Sequence, residues 1–182
     1  MQLDHLAVAG ESLDAAAAHL EEALGLPLQP GGAHPHFGTH NRLMGLGPGL
    51  YIEAIAVDPD APAPDRPRWF DLDRLQGPPH LRAWIARVED LGAALMRRPE
   101  AGQPLDLARG DLRWRMAVPD SGVLPFENRF PALIEWQGAH PGPKLPDQGA
   151  LTALTDPRLV FEPGPPALRA EIATPHGRRV LT

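Results

Sequence analysis

The spacing of apolar residues changes along the chain, and each change marks an element. "LDHLAVAG" (3–10) is an apolar run that predicts a strand. In "ESLDAAAAHLEEALG" (11–25) the apolar positions Leu13, Ala16, Ala17, Leu20 and Leu24 recur at helical spacing. Glu11 and Asp14 suit the positive end of that helix, and Gly25 suits its C-terminal cap. A polar run rich in Gly and His follows, "LQPGGAHPHFGTH", with a weak strand at 28–33. "NRLMGLG" (41–47) and "LYIEAIAV" (50–57) read as two further strands joined by a short turn. The order is β-α-β-β-β.

The pattern lapses over 58–80, a connector rich in proline with one helical turn around 69–75. It then repeats. "LRAWIARV" (81–88) is a strand and "EDLGAALMRR" (89–98) a helix. "QPLDLAR" (103–109), "DLRWRMAV" (111–118) and "PALIEWQG" (131–138) are strands. The halves superpose in sequence when Leu13 is set on Leu91 and Glu53 on Glu135, which predicts an internal duplication. The chain therefore divides into a first module (1–57), a linker (58–80), a second module (81–141) and a β-rich C-terminal extension (142–182). The extension contains three strand-like pieces, "ALTAL", "LRAEIAT" and "RRVLT", expected to lengthen one edge of the sheet. The predicted fold class is α+β.

Composition narrows the function. The net charge of −6 argues against nucleic acid, whose phosphates need a basic partner. The absence of cysteine excludes disulfides, thiolate nucleophiles and zinc–cysteine sites. Acidic residues near the start and the lack of a basic n-region argue against a signal peptide, and no apolar run approaches a membrane span. These features give the expectation of a cytoplasmic protein with neither a membrane nor a nucleic-acid partner. "GLGPG" joins two strands with no helix behind it, so it reads as a hairpin turn and not a phosphate cradle.

Glu53 is the anomaly, a carboxylate in the middle of an apolar strand, and a buried carboxylate must be paired, protonated or metal-bound. Glu135 stands in the matching strand of the second half. Arg42, Arg113 and Arg115 lie on strands next to these glutamates and offer ion pairs. Trp84, Trp114, Trp136 and Phe126 are candidates to wall a pocket, though core packing is the default for strand aromatics. Arg42, Arg113, Arg115, Trp114, Trp136 and Phe126 together suit the binding of a small anionic or oxygenated organic molecule.

"LDHLAVAG", the helix after it and "LYIEAIAV" resemble a module of the vicinal oxygen chelate superfamily, which includes glyoxalase I, ring-cleaving dioxygenases and antibiotic-resistance proteins. "GTHNRLMGLGPGLYIEAIAV" and "LPFENRFPALIEWQGAHPG" are similar to its glyoxalase-like branch, and the resemblance covers residues 3 to 141. It implies two βαβββ modules whose curved mixed sheet forms a cup. It also implies metal ligands on the first and last strands of each module. Those positions hold His5, Glu53 and Glu135; the fourth falls at Ala83, which is no ligand. His40, entering the strand beside Glu53, is the first choice to complete the set.

One His with two Glu suits a divalent Zn, Ni, Fe, Mn or Co ion, and three protein ligands leave room for water or substrate. A glutamate near the ion could then move a proton, which makes Glu53 and Glu135 the candidate catalytic residues. The resemblance thus implies a metal-dependent lyase or isomerase acting on a small oxygenated substrate. The alternative is a non-catalytic binding or sequestering protein without metal, its glutamates neutralised by arginines. A third reading makes the cup a dimer surface, and a homodimer with modules paired within or between chains stays open.

Overall fold

The computed structural model describes residues 1–47, 49–145 and 159–182. The first half runs β1 (Gln2–Ala9), α1 (Leu13–Leu24), β2 (Gln29–His34), β3 (Thr39–Gly45) and β4 (Tyr51–Val57). Helix α1 starts where the Ser12 hydroxyl accepts the Ala15 N–H, and it stops at Gly25, whose φ of 72° is left-handed. Its buried residues Ala16, Ala17, Leu20 and Leu24 are the ones the helical spacing singles out. Leu20 and Leu24 are wholly buried, and each contributes roughly 1.5–3 kcal/mol. The second half runs β5 (His80–Arg87), α2 (Leu91–Arg97), β6 (Gln103–Arg109), β7 (Leu112–Val118) and β8 (Ala132–Trp136). The connector between the halves holds a short helical turn at Trp69–Arg74.

All eight strands form one mixed sheet in the order β2-β3-β4-β1-β5-β8-β7-β6. Each module keeps its first strand parallel to its last, and the modules join antiparallel through β1 and β5. Val8, Ile52 and Ala54 pack against α1 on the convex side. Trp84, Ala86 and Leu133 pack against α2 there. Ala7, Ile55, Ile85, Met116 and Ile134 line the concave side. The sheet curls until its outer edges meet, since Arg109 of β6 reaches His34 of β2 at 2.9 Å.

The tail departs from expectation. β9 (Ala170–Thr174) and β10 (Gly177–Leu181) form a separate hairpin and do not lengthen the large sheet. Ile172 and Leu181 bury on the α1 side, and the Leu81 N–H donates to the Thr182 carbonyl at 2.9 Å. The hairpin carries an apolar face that needs cover, while the sheet edges are turned toward each other. The piece at 150–154 lies outside the described residues.

Two β-bulges stand at equivalent places. In the β1–β5 ladder Leu3 faces Ala86 and His5 faces Ile85, so Asp4 is the extra residue. Further along, Ala7 faces Ala83 and Val8 faces Leu81, so Arg82 is the extra residue in β5. The relation that sets His5 on Ala83 also sets Asp4 on Arg82. Each bulge turns a charged side chain to a structural task. Arg82 Nε donates to the Phe70 carbonyl at 2.7 Å and Nη2 to Asp71 Oδ2 at 2.8 Å. Phe70 and Asp71 have φ of 55° and 57°, a conformation that side chains disfavour and these contacts hold.

Candidate functional site

The concave face surrounds a hollow, partly open to solvent, lined by His5, Glu53, Asn41 and Tyr51 from the first module. Trp114, Trp136 and Arg109 come from the second, and Trp69 and Phe70 of the connector close over it.

Its centre is a line of three side chains. Asp4, turned by its bulge, accepts a hydrogen bond from His5 Nδ1 at 2.7 Å. His5 Nε2 then lies 3.8 Å from Glu53 Oε1. Asp4 is fully buried, and its other oxygen accepts from Trp136 Nε1 at 3.0 Å and His140 Nε2 at 3.1 Å. Arg87 Nε lies 3.2 Å from the same oxygen. Burial alone would raise the Asp4 carboxyl. The hydrogen bonds from His140 and His5 outweigh it and hold the group well below the usual carboxylate range. An ionised Asp4 holds a proton of His5 on Nδ1 and turns Nε2 toward the hollow. Tyr51 stacks on the imidazole at 4.3 Å. Burial pushes its phenol well above the ordinary value, so it stays a neutral O–H donor.

Glu53 is held by an amide. Asn41 Nδ2 donates to Glu53 Oε2 at 2.6 Å. Asn41 Oδ1 accepts from the Gly32 N–H at 3.0 Å and from Arg109 Nη1 at 3.1 Å. The same Nη1 reaches His34 Nε2 at 2.9 Å. A guanidinium only donates, so Nε2 is the bare nitrogen of His34, and Nδ1–H faces Thr39 Oγ1 at 3.1 Å. Burial, then the Arg109 charge, lowers His34 to about 3, so this ring is neutral.

His5, Glu53, Trp114 and Trp136 share the hollow, and the other sequence candidates do not. Glu135 sits between Ile134 and Trp136, which face the cup, so alternation turns it to the convex side. There it accepts the Leu91 N–H at the start of α2 at 2.6 Å, with Arg115 Nη1 3.8 Å away. Ladder register explains the misplacement. Ala7 pairs with Glu53, and its equivalent Ile85 pairs with Ala132. The counterpart of Glu53 is therefore Ala132, three residues before Glu135, and an odd offset reverses the face. His40 faces outward opposite Ala56, its Nδ1 3.9 Å from Asp58. Arg42 pairs with Asp14 at 2.7 Å. Arg115 lies 3.3 Å from Asp106, and Arg113 bonds carbonyls of its own turn. Phe126 is exposed in the β7–β8 connection.

Asp4, Asn41, Tyr51, Trp69 and Arg109 belong to the site and escape sequence reasoning. Asn41 was within reach: it faces Ile55 across the β3–β4 ladder, one diagonal step from Glu53. The bulge that aims Asp4 leaves no sequence signal.

The donor set is too small for a resident catalytic ion. Among the described residues only His5 Nε2 and Glu53 Oε1 converge on the hollow, and the equivalent positions of the second module are Ala83 and Ala132. Among the described residues no three His, Asp or Glu side chains form a group able to hold a metal. A catalytic ion usually keeps three protein ligands, and here the Arg109 cation already bonds the amide that holds Glu53. The residues present do not fit the ion that the resemblance implies. No helix among the described residues is long and apolar enough to cross a membrane.

The family model for the glyoxalase-like domain matches residues 3–156. No curated protein matches the chain. Among solved structures, a hypothetical protein from Staphylococcus aureus aligns with a TM-score of 0.51 at 15% identity, over 79% of this chain and 62% of that one. The Streptomyces coelicolor methylmalonyl-CoA epimerase E43L variant, in complex with 2-nitronate-propionyl-CoA, aligns with a TM-score of 0.50 at 16% identity, over 77% of this chain and 97% of that one. The epimerase from Mycobacterium tuberculosis gives a TM-score of 0.48 at 20% identity, over 76% and 88%. At such identities the likeness is one of fold. With the family model matched over most of its length, and two βαβββ modules curled around one hollow, the chain belongs to the glyoxalase-like domain family, on the vicinal oxygen chelate fold.

Proposed function

We propose that the cup is an acid–base site, and that the protein is an isomerase- or lyase-type enzyme shifting a proton on a small oxygenated organic molecule. The observation that carries this reading is the line Asp4–His5–Glu53, with 2.7 Å and 3.8 Å between successive partners. His5 Nε2 is the base. A C–H bond beside a carbonyl breaks, its proton passes to Nε2, and its electron pair moves into the carbonyl to give an enolate. Asp4 stabilises the imidazolium that forms and keeps the ring oriented. Glu53 flanks the same nitrogen, balances the new charge and offers a second site for the proton. The Tyr51 hydroxyl is a donor for substrate oxygen in the same hollow. Return of the proton to carbon completes an isomerisation, and loss of a neighbouring group completes an elimination.

A reading as a binding protein without turnover rests on the other wall. The module-two positions equivalent to His5 and Glu53 are Ala83 and Ala132, so that half adds no second acid or base at those positions.

Deuterium exchange into a small oxo acid, followed by proton NMR in D2O, separates the readings. Chelator-treated protein should accelerate exchange of the C3 protons of 2-oxobutanoate, and His5→Ala and Glu53→Gln should lose the acceleration. Exchange that returns only with an added divalent ion would establish the metal-dependent alternative. Saturable binding with no exchange above buffer would leave the sequestering role.

A further inference from the structure

Arg109 ends β6 at one edge of the sheet and reaches across to the opposite edge. Its place there is built. A Cβ on Gly32 would lie 2.9 Å from Arg109 Cδ, so the glycine leaves room for the arginine stem. Both acceptors of Arg109 are neutral: the imidazole of His34 at 2.9 Å and the amide of Asn41 at 3.1 Å. They position the guanidinium without cancelling its charge. Arg42, Arg68, Arg82, Arg87 and Arg115 each pair with an aspartate or glutamate, whereas no carboxylate pairs with Arg109 among the described residues. Both contacts use Nη1, so Nε and Nη2 take no protein acceptor among the described residues. That free edge of the guanidinium is the fork that receives two oxygens of one anion.

We propose that Arg109 is the anion anchor of the cup and that its ligand is a small monocarboxylate, held by Nε and Nη2 with its reactive carbon toward His5. The proposal deepens the acid–base reading and rests on it for the identity of the reacting carbon. A monoanion matches a single guanidinium that makes no direct ion pair among the described residues. A phosphate dianion would add a second charge beside Glu53, which the site does not balance. The aromatic walls Trp114, Trp136 and Trp69 limit the rest of the molecule to a short apolar body.

The full chain should be titrated with 2-oxobutanoate, with its neutral amide and with inorganic phosphate, following thermal stabilisation and calorimetric binding. The acid should bind roughly tenfold or more tightly than the amide, the scale of one charge-assisted hydrogen bond. Arg109→Ala should erase the preference, and Arg109→Lys should keep part of it. Circular dichroism reports whether Arg109→Ala folds, and Arg109→Gln serves if it does not. Equal binding of acid and amide, unchanged acid binding in both neutral variants, equal stabilisation by phosphate, or no stabilisation by the acid would each overturn the proposal. A lower melting temperature with acid binding unchanged would reduce Arg109 to a clasp across the sheet edges. His5→Ala separates the two claims. Acid binding that depends on Arg109, with wild-type exchange no faster than buffer, sinks the acid–base reading and leaves the anchor. Exchange that needs His5 and proceeds equally on the amide sinks the anchor and leaves the acid–base reading.

Discussion

Asp4 and His5 are consecutive in the chain, yet their side chains meet, Oδ1 to Nδ1, at 2.7 Å. Neighbours in a regular strand point to opposite faces. A bulge removes Asp4 from the ladder and swings its carboxylate toward the ring it orients. The equivalent bulge in the second module aims Arg82 at the connector that roofs the same hollow. One backbone device, used twice with opposite charges, thus prepares the base at one end of the cup and the cover at the other.

Asp4→Asn keeps the shape and removes the charge. The carboxylate accepts from His5, Trp136 and His140, and an amide turns an NH2 group toward one of these donors. The expected loss is about 3 kcal/mol of stability, as for other broken buried charge pairs. A positioning role adds a signature that a structural one lacks. Exchange at saturating acid should fall while calorimetric binding of the acid persists. Urea unfolding and the NMR assay measure the two effects.

His34 makes acid stability testable. Burial first, and the Arg109 charge second, lower its pKa from 6.5 to about 3. His5 and His40 add to the same direction. In the unfolded chain the ring takes a proton below about pH 6.5, while the folded ring stays neutral until about 3. Its contribution is therefore complete above 6.5 and is lost as pH falls toward 3. The slope of that loss is about 1.4 kcal/mol per pH unit. Stability curves across this window should be flatter in His34→Gln than in the wild type. Parallel curves would show that His34 is protonated in the fold.

Most of the fold is legible in the sequence because burial imposes a period. Leu13, Leu20 and Leu24 announce α1, and the apolar runs around Ile55, Ile85 and Ile134 announce the central strands. Glu53 is legible for the converse reason, as a carboxylate where the period demands an apolar group. The rest of the site depends on register, which composition does not encode. Matching Glu53 to Glu135 relied on the Ile–Glu pair they share, and the ladders place Ala132 there instead. Arg109 lies 68 residues from Asn41, and only the curl of the sheet joins them.

Gly31→Ala tests that closure without touching a charged group. A Cβ at Gly31 would sit 2.2 Å from Asn41 Oδ1 and 2.4 Å from the Asn41 carbonyl oxygen. The β2 edge must then move away, and Asn41 loses its place between Arg109 and Glu53. An overpacking cost of about 1–3 kcal/mol is expected, together with weaker binding of 2-oxobutanoate. Gly164→Ala, where nothing lies within 4 Å of the added carbon, is the control and should change neither. Equal melting temperatures for the two variants would mean that β2 gives way freely at this point.

The two glutamates that the sequence pairs should part company in function. Glu53 faces the hollow, 3.8 Å from His5 Nε2, so Glu53→Gln should abolish exchange while Asn41 can still bond the new amide oxygen. Glu135 accepts the Leu91 N–H at the start of α2, where its charge also meets the positive end of the helix. Glu135→Ala strips that acceptor and should cost about 1 kcal/mol, the scale of a lost helix cap. Exchange in folded Glu135→Ala should match the wild type, because α2 lies on the convex side of the sheet. Equal loss of exchange in both variants, with Glu135→Ala folded, would return Glu135 to the chemistry and contradict the register that places Ala132 opposite Ile85.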